Sequence, residues 1–405
     1  MKILFLSSHL PHARAVAGHQ IVYQRMRRLI ERGHEVGLCA LRGHEEGVQQ
    51  DPLYDALLEY RTIPAPGRKS LTKRMIDYAF SPVPPPFWPD QNPAMYRAVG
   101  EMVDTTRYDV VLAEFTGMGQ YLYRNPWLSA TRKILSIHEC RSMSARTPLF
   151  LPERTFWRAA REHIQTRDLR RFEFELYRCV DRILTLSRYD HFTLSAQAPE
   201  LRVNVVPPGI DLDYFDIPLE RVSEQSLVFT GQYRDVANQD AFSWFAHNVW
   251  PRLHEHRSDL KFYVLGPHPT PEMYALARQL PGIEIKGEIA DIRPYLAKAN
   301  VFVCPIRMGS GLRIKILEAM AVGIPVVTTS AAAEGIPVQA GENVMMADAP
   351  AIMADAITLL LEDPGLCQQL AQSARKMVHE RFHWDRSMGL LEEALTDVVA
   401  PAPTR

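Results

Sequence analysis

The chain has 405 residues, with 46 lysines and arginines against 47 aspartates and glutamates; the length favours two domains, and the balanced charge excludes a general nucleic-acid binder. A hydrophobic fraction of 46% and a charged fraction of 23% exclude a disordered or membrane-dominated chain. Five scattered cysteines without a C-x-x-C pair support neither a disulfide framework nor a zinc site, which points to a reducing compartment and so to the cytoplasm.

The opening "MKILFLSSHLPH" holds an apolar run too short for a signal peptide or an anchor, and it reads as a first strand. Further strand-length runs follow: "HEVGLCAL" from His34, "DVVLAEF" from Asp109, "KILSIHE" from Lys133 and "DRILTLS" from Asp181. They are apolar throughout rather than alternating, as in parallel sheets covered on both faces. Between the first two, "GHQIVYQRMRRLIERG" places Ile21, Val22, Met26, Leu29 and Ile30 on one helical face and ends at Gly33. That is a β-α-β unit.

"VNVVPPGIDLDYF" interrupts the pattern with Pro207, Pro208 and Gly209, a stiff turn of the kind that joins domains. A new α/β series then starts at "SLVFTGQY" and runs through "LKFYVLG", "IEIKGEI", "NVFVCPI", "PVVTTSA" and "ENVMMAD". Two doubly wound domains with a ligand cleft are therefore expected, over residues 1–207 and 208–382. Residues 383–405, with Trp384, Met388, Leu391 and Leu395 at helical spacing, are expected to pack back on the first domain. Two segments stand apart: the proline- and aromatic-rich 79–93, and 152–178, where five acidic residues offset seven arginines. Either offers a surface to a membrane or a lipid-linked acceptor, though a solvated helix over the sheet explains the second equally simply.

Chemistry concentrates in "GSGLRIKILEAMAVGIPVV" from Gly309. Glycines ahead of a helix admit an anion to backbone N–H groups, and the helix dipole adds about half a positive charge. Here Gly309 and Gly311 precede a helix expected from about Leu312 to Val322, with Ile314, Leu317 and Ala321 toward the sheet. Lys315 and Glu318 then share a neighbouring face, where they suit a diphosphate and a ribose diol, or merely pair with each other on the surface. A dinucleotide-binding oxidoreductase is disfavoured, because only Gly18 precedes the first helix and the glycine after "GSG" is replaced by Ile314. The "DLD" at Asp211–Asp213 resembles a metal-binding pair, but its place in the turn favours capping, and no metal is expected.

Taken in order, "MKILFLSSHLPHARAVAGHQ", "ILSIHE", "TLSRYD", "VVPPGIDLDYF", "VFTGQYRDVANQDA", "FYVLGP" and "IKGEIADIRPYLAKANVFVCPIRMGSGLRIKILEAMAVGIPVVTT" resemble the retaining nucleotide-sugar glycosyltransferases of the GT-B fold, family four (group 1). The resemblance covers nearly the whole chain. It implies two facing Rossmann-like α/β domains, no cofactor and no metal. The nucleotide-diphosphate sugar (UDP, GDP or dTDP as carrier) would sit mainly on the second domain, and a glycan or polyprenyl-linked acceptor on the first.

On this resemblance Ser310, Gly311 and Leu312 hold the diphosphate, Glu318 the ribose, and the region of Gly287 and Ile289 the base. Gly18, Gly231, Arg234 and Glu334 join them as donor contacts, His138 stands near the donor sugar, and His19 is a weaker candidate. The chain departs from the family pattern at Ser310, where a glutamate is usual, and at Gln232 and Asn238, where an arginine and a lysine are usual. Arg313 and Lys315 are the candidates for supplying that charge from elsewhere, with Arg234 and Arg307 behind them. Glu139 is the nearest carboxylate to His138 in sequence, and the lack of an obvious nucleophile there fits front-side displacement.

The expected activity is sugar transfer with retention in glycoconjugate or polysaccharide synthesis, either free in the cytoplasm or peripheral at the inner face of the membrane. A nucleotide-sugar epimerase and an inactive binding or scaffold protein are the alternatives. Nothing in the sequence favours a pyridoxal-dependent phosphorylase.

Overall fold

The computed structural model describes residues 1–13, 18–43, 51–66, 83–140, 156–220, 224–309 and 311–400. Ser310 lies outside these, as do residues 79–82 of the proline-rich segment and 152–155 of the arginine-rich one. The chain divides into two compact units, one formed by Met1–Pro207 with Ser387–Arg405 and the other by Pro208–Arg386.

The first unit is built on seven parallel strands: β1 (Lys2–Ser7), β2 (Glu35–Arg42), β3 (Glu59–Pro64), β4 (Val110–Glu114), β5 (Arg132–Ile137), β6 (Arg182–Thr185) and β7 (Val203–Val205), in the order β3-β2-β1-β4-β5-β6-β7. Their apolar runs are buried, as expected where helices cover both faces of a sheet. The Gly18–Glu31 helix buries Ile21, Val22, Met26 and Leu29. It stops where Gly33 turns left-handed (φ +84°), so that Gly33 N–H bonds Ile30 O at 2.9 Å and His34 N–H bonds Leu29 O at 3.0 Å.

The last helix, Trp384–Val399, adds most of its length to this unit. Met388, Leu391 and Leu395 are buried, Ser387 Oγ donates to Pro207 O at 2.6 Å, and Glu392 accepts from Arg32 at 2.8 Å.

The second unit holds six parallel strands: β8 (Ser226–Thr230), β9 (Lys261–Leu265), β10 (Ile283–Gly287), β11 (Val301–Cys304), β12 (Val326–Thr328) and β13 (Met345–Met346), in the order β10-β9-β8-β11-β12-β13. Its core is aromatic, with Phe229, Phe242, Phe245, Trp250 and Phe262 all buried. Gly209 of "PPGID" has a packing reason: a Cβ there would lie 2.1 Å from the Trp384 ring. In both sheets the first strand is flanked by its successor on one side and by the fourth strand on the other, which creates a switch point where α/β sheets open a crevice beyond the strand ends.

Among the described residues no helix is long and apolar enough to cross a membrane.

Candidate functional site

At the second unit's switch point, β11 runs into the glycine loop. Gly309 and Gly311 have φ of +84° and +91°, conformations that side chains disfavour, and these glycines make the turn possible. The helix that follows spans Ile314–Val322, two residues shorter at its start than the expected Leu312, and no side chain of its N-cap residue Arg313 caps it. Its buried residues are Ile316, Leu317, Ala319, Met320, Ala321 and Val322, so Leu317 and Ala321 are buried as expected while Ile314 is only half-buried. Leu312 packs at the edge of the core.

Lys315 turns inward instead of pairing with Glu318. Its Nζ donates to Thr230 O at 2.6 Å, at the end of β8, and to Asn238 Oδ1 at 2.8 Å. It also stands 5.0 Å from the Phe229 ring. Asn238 is fixed in turn by Nδ2 bonds to Gln232 O at 2.9 Å and Asp235 Oδ2 at 3.2 Å. An ammonium thus rests against the Asn238 side chain, one of the two positions where the resemblance leads one to expect a cation.

Burial lowers the Lys315 pKa to about 8, with Arg313 acting in the same sense and Cys304 and Asp235 opposing it. Burial likewise pushes Glu318 up to about 7, against the pull of Lys315. Glu318 keeps part of its surface accessible.

The remaining sequence candidates differ in placement. Arg313 folds back over the loop, its Nη2 donating to Met308 O at 3.0 Å and lying against Gly309. Arg307 is committed elsewhere, in a two-pronged bond to Asp240 (2.7 and 3.1 Å) with its guanidinium 5.1 Å over Trp244. Arg234 has an exposed side chain. Gly231 follows β8 and packs against Asn238, and Gly266 must be glycine because a Cβ would meet Gly231 O at 1.8 Å. Gly287 (φ +69°) ends β10 two strands from β8, its carbonyl accepting from Gly266 N–H at 2.8 Å, and half-buried Ile289 follows it. Glu334 follows β12 and caps the short Ser330–Ala333 helix. Asp211 caps its turn, accepting from Tyr214 N–H at 3.1 Å.

The first unit's switch point carries rings and a buried ion pair. After β1, β4 and β5 come His9, Phe115 and His138, and with His19 they form a contiguous wall: ring centroids are 4.3 Å apart for His9–His19, 4.8 Å for His19–Phe115 and 4.2 Å for Phe115–His138. Burial, reinforced by His9, His138 and His12, lowers the His19 pKa to about 3, so His19 is neutral. Gly18 must be glycine, because a Cβ would lie 2.7 Å from His138 Nδ1. Phe115 itself has φ +71°, a strained conformation for an aromatic residue and a marker of functional regions.

Sequence reasoning missed Glu114. The carboxylate nearest His138 is this residue and not Glu139, which is exposed: Glu114 Oε2 lies 2.9 Å from His138 Nε2. Glu114 ends β4 while His138 follows β5, so the contact arises from strand pairing and leaves no trace in sequence spacing. Glu114 and Arg25 are both fully buried, with Arg25 Nη1 donating to Glu114 Oε1 at 3.0 Å. Burial alone would raise the Glu114 pKa, but Arg25, His138 and Ser136 together hold it at about 2. The argument from a missing carboxylate near His138 therefore falls. A buried glutamate held by Arg25 is nevertheless poorly disposed to act as a nucleophile.

Both units match models of glycosyltransferases. Residues 19–214 match "Glycosyltransferase Family 4" and residues 224–363 match "Glycosyl transferases group 1". A D-inositol 3-phosphate glycosyltransferase of Xylanimonas cellulosilytica is 29% identical over 236 residues, 50% of this chain and 52% of that protein, so the chain spans about half the length of the curated relative it matches.

Among solved structures, sucrose-phosphate synthase from Thermosynechococcus elongatus superposes with a TM-score of 0.72 at 16% identity, covering 98% of this chain and 100% of the other. Anabaena HepE in complex with UDP and glucose gives 0.67 at 14% identity, covering 98% and 99%. WaaG, a glycosyltransferase involved in lipopolysaccharide biosynthesis, gives 0.68 at 16% identity, covering 99% and 100%. At these identities the structural likeness establishes the GT-B fold.

Proposed function

We propose that this chain, a group 1 glycosyltransferase by family, transfers a sugar from a nucleoside-diphosphate donor to a glycan or lipid-linked acceptor. The observation that carries the donor reading is Lys315: a desolvated ammonium at the switch point, beside two left-handed glycines and a helix start. A diphosphate there would meet backbone N–H groups, a helix dipole and a cation together, and would repay the desolvation of Lys315. Glu318, one turn along the helix, is proposed to accept from a ribose hydroxyl, with Gly311 and Leu312 as proposed diphosphate contacts at the loop. Ser310, Gly231 and Arg234 remain proposed donor contacts, and Gly287, Ile289 and Glu334 remain proposed contacts further from Lys315.

UDP is the first nucleotide to try, since HepE is a fold neighbour seen with UDP and with UDP-glucose. Transfer with retention, without a metal, follows from the resemblance. His138 is proposed to contact the donor sugar, while Arg313 and Lys315 balance charge on the leaving diphosphate. For the acceptor, a lipid-linked glycan at a membrane surface is supported by exposed Phe192 and Tyr189 near Arg170 on the first unit, and by the pathway named for WaaG.

The test is a thermal-shift screen against UDP, GDP, dTDP and their sugar conjugates, in which a ligand at 100 times its Kd stabilises by about 2.7 kcal/mol. A shift with one nucleotide that disappears in Glu318→Ala identifies the base and supports the clamp. No shift with any of them counts against the donor site. Liposome flotation at low salt tests the membrane surface, and absence of lipid binding would refute it.

A further inference from the structure

Arg25 and Glu114 form a buried ion pair that also contacts an imidazole, His138. Arg25 Nη1 also donates to Ser136 Oγ at 2.9 Å, and Nη2 donates to Val206 O at 3.1 Å, so the guanidinium is held from β5 and from the residue after β7. Glu114 is thereby kept as a carboxylate, which can only accept hydrogen bonds. Its 2.9 Å contact with His138 Nε2 therefore requires the proton to be on Nε2.

The other ring nitrogen, Nδ1, is buried and has no hydrogen-bond partner among the described residues, on a side chain only 9% exposed. Buried polar atoms without partners are few in native proteins, and each calls for a reason. Around the ring stand Glu114 from β4, Phe115 on one face, Gly18 from the first helix, and neutral His19, itself flanked by His9 and His12. None of these supplies a bond to Nδ1.

We propose that Arg25 and Glu114 are a positioning pair for His138: they commit the imidazole to one orientation and to the Nε2–H tautomer, leaving Nδ1 as the acceptor for a hydroxyl of the bound sugar. The proton on Nε2 follows from the geometry alone. The sugar hydroxyl rests on the glycosyltransferase reading above. The arrangement parallels metal sites in which a carboxylate fixes the tautomer of a ligating histidine.

Nitrogen-15 NMR of the full chain, with the His138 ring assigned by its loss in His138→Gln, reads the tautomer directly from two-bond proton couplings. The expected result is a single Nε2–H species in the wild-type protein. A proton on Nδ1, or a rapidly exchanging mixture, would overturn the proposal without any variant being needed. In the double variant Arg25→Met/Glu114→Gln, which removes both buried charges together so that neither is stranded, the tautomers should mix; an unchanged spectrum would show that the pair does not set them.

Turnover is then measured with UDP-, GDP- and dTDP-sugars. The double variant should lose about tenfold to a hundredfold in kcat with donor KM within about twofold, whereas unchanged kcat would overturn the positioning role. If the wild-type protein neither transfers nor hydrolyses any donor while its His138 tautomer is fixed, the glycosyltransferase reading fails and the pairing stands.

Discussion

The two sheets run in the same strand order around their first strands, yet their switch points are built from opposite materials. In the second unit the loop after β11 turns on Gly309 and Gly311, and the charges beside it are cations: the Lys315 ammonium bonded to neutral oxygens of Thr230 and Asn238, and the Arg313 guanidinium folded over the loop. In the first unit, Phe115 takes the left-handed turn after β4, and the charges are a closed pair, Arg25 with Glu114, sealed from water. One site is left charged and conformationally relaxed, as the proposed diphosphate site requires. The other is neutralised internally and strained, which suits holding a ring in place. The same topology thus supplies only the crevice; the side chains set what each crevice can bind.

That contrast predicts unequal responses to charge removal. Glu114→Ala strands a buried guanidinium and should destabilise the first unit by about 3–5 kcal/mol, whereas Arg25→Met/Glu114→Gln should cost far less. Hydrogen exchange read on peptides of each unit checks this, and equal losses for the two variants would mean that the pair is not electrostatically closed. Lys315→Met should leave the second unit's stability unchanged or improved while weakening UDP or GDP binding by about 1.5–3 kcal/mol, the range for a charged hydrogen bond. Calorimetric titration decides this; undiminished affinity would place the diphosphate elsewhere.

A third expectation concerns pH. The pKa of Glu318 is raised in the fold from 4.5 to about 7, so its contribution to stability is present below pH 4.5 and is lost as pH rises through about 7. The pKa of Lys315 is lowered from 10.5 to about 8, so folding releases a proton between those values and stability from this group grows as pH rises from about 8 toward 10.5. Glu318→Gln should accordingly gain thermal stability relative to wild type on going from about pH 5 to about pH 8, read as the difference in melting temperature between the two proteins. Nucleotide affinity should fall above about pH 8, as Lys315 loses its proton.

The smallest effects are at the turns. Gly309→Ala should cost about 1–2 kcal/mol, because φ of +84° crowds a Cβ. Phe115→Gly should change stability by less than that, since relief of about 1–3 kcal/mol of strain offsets lost ring contacts. Melting temperatures of the two variants, measured side by side, test whether Phe115 is held against its preference.

Much of the fold was legible from local pattern. Uninterrupted apolar runs such as "KILFLSS" and "NVFVCPI" mark strands buried on both faces, and Gly33 marks a helix end, because each signal depends on residues a few positions apart. The glycine loop and the candidates Lys315 and Glu318 were visible for the same reason. Leu317 and Ala321 of the Ile314–Val322 helix are buried as read, and only Ile314, at its first position, is half-buried instead.

Which groups meet across strands is another matter. Arg25, Glu114 and Ser136 are drawn from a helix and two strands, with 89 positions separating the ion pair, and sequence spacing carries no record of that meeting. Nor does it record that Lys315 would swing to Asn238, 77 positions away, instead of to Glu318. Local periodicity fixes elements because backbone bonds and burial act over one or two turns. The partners of a buried charge are chosen only when strands align, because only then does the loss of water make a particular counterion or carbonyl indispensable.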